Sequence, residues 1–292
     1  MNNKNMTALV SAFARAYHTK NSQVKIYSDC FADRILSEQE YSDICENMAD
    51  GIEFFNPDFS GTRDEALEWI VNNQIAPSVL ARSAFNKRAL ENAIMLGCEQ
   101  YLIFGAGYDT SAIGLNINCY EIDKYEMIAD KIQRLEKCDV DLSNIEYISC
   151  DFRNDNWFSS INNSSYKKEL KSFNSLLGVS YYLTSDEFCK TVGIISNNIC
   201  KGSSILFDFQ TNETSVETKR NERLAEGADE KMKSKYSYRE IEKILEDNNM
   251  LIYEYLDNEN MTKQFFEGYN DNNPSNKMTA PKGVAYILAV KQ

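Results

Sequence analysis

Metal-binding residues are scarce in this sequence. It contains one histidine, His18, and eight cysteines that never form a Cys-x-x-Cys pair. Zinc sites in proteins are built mainly from closely spaced cysteine and histidine side chains, so this composition argues against a zinc site. Cys119, Cys150 and Cys200 lie in apolar runs, where a reduced thiol behaves as a small hydrophobe. We therefore predict free thiols, and no metal, in a cytosolic protein.

Positive charge and long apolar segments are also lacking. The chain has 31 Lys and Arg residues against 44 Asp and Glu residues, a formal net charge of -13. Because so acidic a chain repels phosphate backbones and anionic lipids, we expect neither nucleic acid nor a membrane as a partner. No apolar run reaches the roughly 18 residues of a membrane helix, and the first residues are polar, unlike a signal peptide. The sequence predicts a cytoplasmic protein and leaves its oligomeric state open.

Helical periodicity dominates the first third of the chain. Apolar residues recur about every 3.6 residues in segments such as 8–16 and 67–71. Thr62 followed by Glu65 is typical of a capping box at a helix start, and Gly97 is typical of a helix end. We predict an N-terminal helical cap over residues 1–97.

From residue 98 onward, short apolar strands alternate with helical patterns. The predicted strands are 101–104, 117–122, 145–150, 173–177, 204–209, 251–256 and 285–290, and the predicted helices are about 110–115, 124–137, 185–200 and 237–248. This alternation is typical of an α/β fold with a mostly parallel sheet, here of seven strands. The last two strands are joined by a predicted loop, so we expect the final strand to be reversed. Within this 98–292 core, the charged segment 211–236 is a predicted lid.

Three successive predicted strands end in residues suited to an adenosine ligand. The first strand runs into Gly105, Ala106 and Gly107, and glycines at such a turn let a backbone approach a ligand closely. The second strand ends in Glu121 and Asp123, and a carboxylate there can accept both ribose hydroxyls. At the end of the third strand, Asp151 can bond an adenine amino group while Phe152 packs on the ring. Together these ends predict a pocket for an adenosine without a pyrophosphate.

Each of these signals has a simpler interpretation when it is taken alone. A Gly-x-Gly turn also occurs wherever a strand turns tightly into a helix, and a lone acid at a strand end is often a helix cap. A dinucleotide-binding loop would have a third glycine where this sequence has Thr110. An NAD(P)-dependent oxidoreductase is therefore the weaker alternative, and the chain also lacks an obvious Tyr-x-x-x-Lys pair in its second half.

With these motifs, the sequence resembles the leucine carboxyl methyltransferase family of class I S-adenosylmethionine (SAM)-dependent enzymes. The closer likeness is to its bacterial branch, which includes polyketide O-methyltransferases. The resemblance covers nearly the whole chain and is carried by the segments 6–9, 15–18, 25–29, 81–83, 105–110, 121–123, 151–153, 181–183 and 283–290. It implies a Rossmann-like methyltransferase fold, with SAM as cofactor and S-adenosylhomocysteine (SAH) as product. It also implies O-methylation of a small-molecule or natural-product acceptor, at a carboxylate or a hydroxyl.

The resemblance also implies roles for individual residues. Gly105 is expected to lie against the methionine part of SAM, Asp123 with Glu121 to meet the ribose, and Asp151 with Phe152 to hold the adenine. Arg82 matches the arginine that pairs with the cofactor carboxylate, a role that suits a bidentate guanidinium. Arg15 is a second basic candidate for the same carboxylate. The chain departs from the family at Leu177, where a glutamate that would receive the SAM ammonium is usual, and this departure favours a catalytically degenerate SAM-binding protein as an alternative.

Three residues are candidates on the acceptor side. His18 is the one histidine, and an unperturbed histidine titrates near neutral pH, so it is the candidate general base for a hydroxyl acceptor. A structural, hydrogen-bonded histidine is the alternative. Tyr181 and Tyr182 follow the fourth strand, where they either line the acceptor pocket or simply pack. A carboxylate acceptor would need no base at pH 7.

Overall fold

The computed structural model describes residues 5–152, 154, 156–214 and 232–292. Its helices before the sheet are α1 (Met6–Asn21), α2 (Ala32–Ile35), α3 (Glu38–Asp50), α4 (Ile52–Phe55), α5 (Arg63–Ile70) and α6 (Ala76–Met95), with a π-helical turn at Val71–Ile75 between α5 and α6. Most of the predicted lid, 215–231, lies outside the described residues, as does Arg153. Within the described ranges, no helix is both long and apolar enough to cross a membrane.

Seven strands follow the helical region. They are β1 (Gln100–Phe104), β2 (Asn118–Asp123), β3 (Ile145–Ser149), β4 (Ser172–Leu176), β5 (Ser204–Gln210), β6 (Met250–Leu256) and β7 (Val284–Lys291). The helices among them are α7 (Tyr125–Leu135), α8 (Ser159–Asn162), α9 (Ser185–Asn197), α10 (Tyr238–Glu246), α11 (Asn258–Phe265) and α12 (Glu267–Asn272), and Ser180–Tyr182 forms a 3₁₀ turn. All seven strands were predicted, with boundaries within two residues of those observed.

The strand order is β3-β2-β1-β4-β5-β7-β6. β1 pairs in parallel with both β2 and β4, whereas β7 runs antiparallel between β5 and β6. The reversed last strand of a mostly parallel sheet is therefore confirmed. Because the chain winds outward from β1 in one direction and from β4 in the other, the order reverses between these two strands. Such a reversal opens a crevice at the carboxyl ends of the strands, where α/β proteins bind ligands.

Each face of the sheet is covered by helices. The first core packs α1, α6 and α7 against side chains such as Tyr101, Phe173 and Leu206, and the second packs α8, α9 and α10 against residues such as Phe104 and Phe207. The N-terminal helices thus share one core with the sheet. That residues 1–97 form a separable cap remains a prediction.

Two connections differ from the sequence-based expectation. The segment 110–115 is a series of turns rather than a helix, and Gly114 within it has a φ of 81°. Between β6 and β7 the chain forms α11 and α12 instead of a loop. Their apolar residues Met261, Phe266 and Tyr269 are buried in the first core, so burial overrides the weak helical propensity of this asparagine-rich segment.

Candidate active site

The loop after β1, residues 105–110, contains two glycines whose backbones lie in the left-handed region, and we call it the glycine loop. Gly105 has a φ of 73° and Gly107 a φ of 47°, conformations that glycine adopts without steric cost. The N–H groups of Gly105 and Ala106 both donate to the carbonyl of Ile122 at 2.8 and 3.1 Å, which fixes the loop to the end of β2. A Cβ on Gly105 would lie 2.4 Å from Cγ2 of Val179. The absence of a side chain at Gly105 therefore lets the loop after β4 approach the loop after β1.

Asp123 ends β2 beside this loop. Its carboxylate accepts the N–H of Gly107 at 2.8 Å and the N–H of Lys124 at 2.7 Å, and burial raises its pKa above the usual range. A carboxylate has about four acceptor positions, and these two bonds use half of them. Asp123 is only half-buried, so it retains acceptor capacity. It lies at the edge of the sheet formed by the loops that follow β1, β2, β3 and β4, which we call the rim.

Glu121 occupies a different position from Asp123. Its side chain is 1% exposed, and Nζ of Lys131 on α7 lies 2.5 Å from its Oε2. Burial raises the pKa of Glu121 to about 7 despite this partner. The structure thus brings Glu121 to Lys131, which also donates to the carbonyl of Asp109 at 2.5 Å beneath the loop. A ribose contact of Glu121 stays a prediction.

The end of β3 gathers aromatic side chains. Phe152 is half-buried, with its ring centroid 5.1 Å from Trp157 and 6.2 Å from Phe104. Asp151 precedes it and is also half-buried. The structure thus adds Trp157 to the predicted Asp151 and Phe152, and the three form a partly open apolar corner with a carboxylate at its edge.

Arg82 reaches this rim from α6. It donates to Oγ of Ser11 at 3.0 Å, and a Cβ on Gly178 would lie 2.7 Å from its Nη1. No carboxylate of the described residues lies within ion-pair distance of its guanidinium, although its charge opposes the rise that burial causes in the pKa of Asp208. Gly178 has a φ of 69° and precedes Val179, which touches Gly105. A continuous series of contacts therefore joins Arg82 to the glycine loop and, through Gly107, to Asp123.

Arg15 is tied to protein partners. It is 6% exposed, its Nε lies 2.7 Å from Asp29, and its Nη2 donates to the carbonyl of Tyr108 at 2.7 Å. This guanidinium therefore holds the glycine loop, and a contact of Arg15 with a cofactor carboxylate stays a prediction. At the rim, Arg82 is the guanidinium that forms no ion pair with a described residue.

His18 is placed as a buried, hydrogen-bonded residue, which agrees with the structural alternative; a role as general base stays a prediction. Its ring is 1% exposed, its Nε2 accepts the N–H of Ile26 at 2.9 Å, and its Nδ1 bonds Oγ of Ser22 at 3.0 Å. Burial, aided by nearby Lys25, lowers its pKa to about 4. Both ring nitrogens are engaged, so His18 remains neutral at pH 7.

Tyr181 points into the protein at the end of β4. Its hydroxyl donates to Oδ2 of Asp208 at 2.8 Å, and burial together with this carboxylate holds the pKa of Tyr181 well above its usual range. Oδ1 of Asp208 accepts the N–H of Gly178 at 2.7 Å. Tyr181 and Asp208 thus anchor the loop after β4. Tyr182 is half-buried beside Tyr181, at a ring distance of 6.3 Å.

The residues that sequence reasoning missed are mostly the buried partners of the glycine loop. Asp29 and Lys131 gave no local signal of function, although Asp29 lies within the segment 25–29 that carries the resemblance. Leu177 is half-buried and packs against the first core, so it supplies no charge to the rim. Two cavities of about 260 and 290 Å³ lie elsewhere, one beside Lys25 and Arg88 and one beside Asn118 and Glu146. The candidate site is therefore defined by its side chains and loops.

The chemistry of these residues fits SAM. The carboxylate of an amino-acid tail needs a cation that is not held in an ion pair, and Arg82 forms none with the described residues. A ribose needs acceptor positions, and Asp123 retains them. The loop that passes between these two groups has glycines where a backbone must turn closely, and no third glycine for a pyrophosphate.

A model of the leucine carboxyl methyltransferase family matches residues 8–196. A Bacillus subtilis (strain 168) protein, named "Putative S-adenosyl-L-methionine-dependent methyltransferase YktD", is 32% identical over 307 aligned positions that cover 100% of this chain and 99% of the relative. The chain belongs to the leucine carboxyl methyltransferase family. As a member of this family, the protein is a SAM-dependent methyltransferase with SAM as its cofactor.

Solved structures agree on the fold. A DUF574 family protein from Streptomyces avermitilis superposes with a TM-score of 0.62 at 14% identity and covers 97% of each chain. A protein from Thermobifida fusca, described as "a putative methyltransferase", superposes with a TM-score of 0.56 at 13% identity and covers 98% of this chain and 94% of that one. At these identities the likeness shows the Rossmann-like fold that the family resemblance implied.

Proposed function

We propose that this methyltransferase transfers the methyl group of SAM to a carboxylate oxygen of a small-molecule acceptor. The proposal rests on one observation: two of the residues predicted for the acceptor side, His18 and Tyr181, are both held in states unsuited to a base. His18 has both nitrogens engaged and a pKa of about 4. The Tyr181 hydroxyl donates to Asp208 and keeps its proton at neutral pH.

A carboxylate acceptor needs neither residue as a base. It is already ionised at pH 7, whereas a phenol or alcohol would have to lose a proton as it attacks. When bound, SAM supplies a methyl group activated by its sulfonium. The task left to the chain is to hold the two reactants in line and to exclude water. The description of the family, a leucine carboxyl methyltransferase, supports the same class of acceptor.

We further propose which residue of the rim contacts each part of SAM. Arg82 takes the carboxylate of the methionine part, and Gly105, Ala106 and Gly107 lie against that part. Asp123 takes the ribose hydroxyls, and Asp151 with Phe152 takes the adenine. Tyr182, half-buried beside the anchored Tyr181, borders the acceptor space.

The bond that forms can be read directly from the product. SAM carrying a radioactive methyl group is incubated with the protein and a panel of acceptors, each offered as a carboxylic acid, as its amide and as a phenol of similar shape. Methyl esters release volatile labelled methanol on mild alkaline treatment, whereas methyl ethers do not. We expect label only with the acids, all of it base-labile. Base-stable label on the phenols would show a hydroxyl acceptor and contradict the proposal.

A further inference from the structure

Four consecutive residues of the glycine loop, 107–110, are each bonded to a charged side chain. The contacts are Gly107 N–H to Asp123 (2.8 Å), Arg15 to the carbonyl of Tyr108 (2.7 Å), Lys131 to the carbonyl of Asp109 (2.5 Å), and the hydroxyl of Thr110 to Asp29 (2.6 Å). These charged groups come from β2, α1, α7 and the segment between α1 and α2. The loop is therefore held from several directions by elements that are distant in sequence.

Asp29 is the most heavily bonded of these groups. Its Oδ2 accepts Nε of Arg15 at 2.7 Å and the Thr110 hydroxyl at 2.6 Å, and its Oδ1 accepts the N–H groups of Phe31 and Ala32 at 3.1 and 3.0 Å. All of its acceptor positions are used. Burial opposes its ionisation, but these partners outweigh burial and hold the pKa of Asp29 below its usual range. The carboxylate is thus a buried, ionised junction between the cap and the loop.

Arg15 completes this junction. It lies on α1, pairs with Asp29, and donates to the carbonyl of Tyr108. This carbonyl is two residues before Thr110, whose hydroxyl donates to Asp29. A buried ion pair adds little net stability compared with apolar packing, because desolvation offsets the attraction between the charges. Its better-attested use is to specify one arrangement of the elements it joins. Here that arrangement sets the position of loop 105–110.

We propose that the Arg15–Asp29 ion pair is a positioning device that makes the N-terminal helices part of the SAM site. Arg15 and Asp29 are positioning residues, and Thr110 is their contact in the loop. The inference rests on the rim being the SAM site. The buried Glu121–Lys131 pair holds the neighbouring residue Asp109 from α7 in the same manner.

Two substitutions at Thr110 test the junction without placing an unpaired charge in the core. Thr110→Val keeps the shape and loses the hydroxyl, and Thr110→Ser keeps the hydroxyl and loses the methyl group. SAH binding is measured by titration calorimetry, and the melting temperature is measured without SAH. We expect Thr110→Val to weaken SAH binding about 10-fold, as for loss of one charge-assisted hydrogen bond. We expect Thr110→Ser to bind within about 3-fold of the wild type.

Asp29→Asn extends the test to the ion pair, with Asp50→Asn as its matched control. Asp50 lies on α3 and forms an exposed pair with Arg63 at 2.7 Å, away from the glycine loop. We expect Asp29→Asn to weaken SAH binding by about 10-fold or more and Asp50→Asn to leave it unchanged.

The results distinguish the positioning role of the Arg15–Asp29 pair from the assignment of the rim as the SAM site. If folded Thr110→Val binds SAH as the wild type does, or if Thr110→Ser is equally impaired, the positioning proposal is overturned, because the hydrogen bond to Asp29 is then irrelevant to binding. If the wild-type protein itself binds no SAH, the assignment of the rim as the cofactor site fails first.

Discussion

His18 accepts one hydrogen bond and donates another inside the core, an arrangement that suits a stabilising residue. His18 was a reasonable candidate base from sequence, because it is the one histidine of the chain. Its role could not be read from the sequence, since its partner Ile26 is eight residues away and its burial depends on packing, for example against Tyr269 at a ring distance of 5.6 Å. The same limit applies to Arg15, whose partners Asp29 and Tyr108 lie in different parts of the fold.

The buried state of His18 predicts a pH-dependent stability. Its pKa of about 4 in the folded protein is below the unfolded value of about 6.5, so the unfolded chain binds more protons between these pH values. His18 therefore destabilises the fold as pH falls from about 6.5 to 4, at about 1.4 kcal/mol per pH unit and on the order of 2–3 kcal/mol in all. Above pH 6.5 this loss is absent.

The measurement is urea denaturation of wild type and His18→Gln across pH 4–7. Carboxylates with lowered pKa, such as Asp29, contribute to both proteins, so the difference between the two curves isolates His18. We expect the substitution to cost stability at pH 7 and the two curves to converge towards pH 4. A difference that is constant over this range would contradict a buried neutral histidine.

At the scale of elements, the sequence predicted those helix starts and ends that depend on contacts between neighbouring residues. The capping box of α5 forms as expected, with Thr62 and Glu65 bonding each other's backbone N–H, and α6 ends just before Gly97, whose φ is 87°. The helix expected over 110–115 fails for a long-range reason. The side chain of Asn144 donates to the carbonyls of Ala112, Leu115 and Ile117, so these groups are bonded outside any helix. Nothing in the segment itself reveals that partner.

The close approach of the loops after β1 and β4 makes a prediction for glycine substitutions. At Gly97, alanine meets nothing within 4 Å but must adopt a positive φ, so Gly97→Ala should cost about 1–2 kcal/mol. At Gly105, alanine meets the same strain and also clashes with Val179, so we expect Gly105→Ala to cost about 2–5 kcal/mol.

A double-mutant cycle in urea denaturation checks the origin of this difference. Val179→Ala removes the methyl group that the new Cβ would meet, so Gly105→Ala should cost about 1 kcal/mol less in that background. Equal costs of Gly105→Ala with and without Val179 would show that the two loops are not in contact.

At the scale of the whole molecule, the cap and the sheet act as one structure around the rim. The strand-end motifs were readable from sequence because each lies within a few residues of its strand, and Arg82 was readable through the family resemblance. The buried pairs that hold the glycine loop were not, because Arg15 with Asp29 and Glu121 with Lys131 meet only after α1 and α7 pack on the sheet.

The central claim is that this rim holds SAM through Arg82 and the carboxylate of Asp123. Titration calorimetry with SAH, and with NADH as the competing ligand class, tests it on wild type, Arg82→Gln and the control Arg63→Gln, an exposed arginine of α5. We predict that the wild type binds one SAH and no NADH, that Arg82→Gln weakens SAH binding about 100-fold through loss of a bidentate carboxylate contact, and that Arg63→Gln binds normally. NADH binding, or SAH binding that Arg82→Gln leaves intact, would contradict the account.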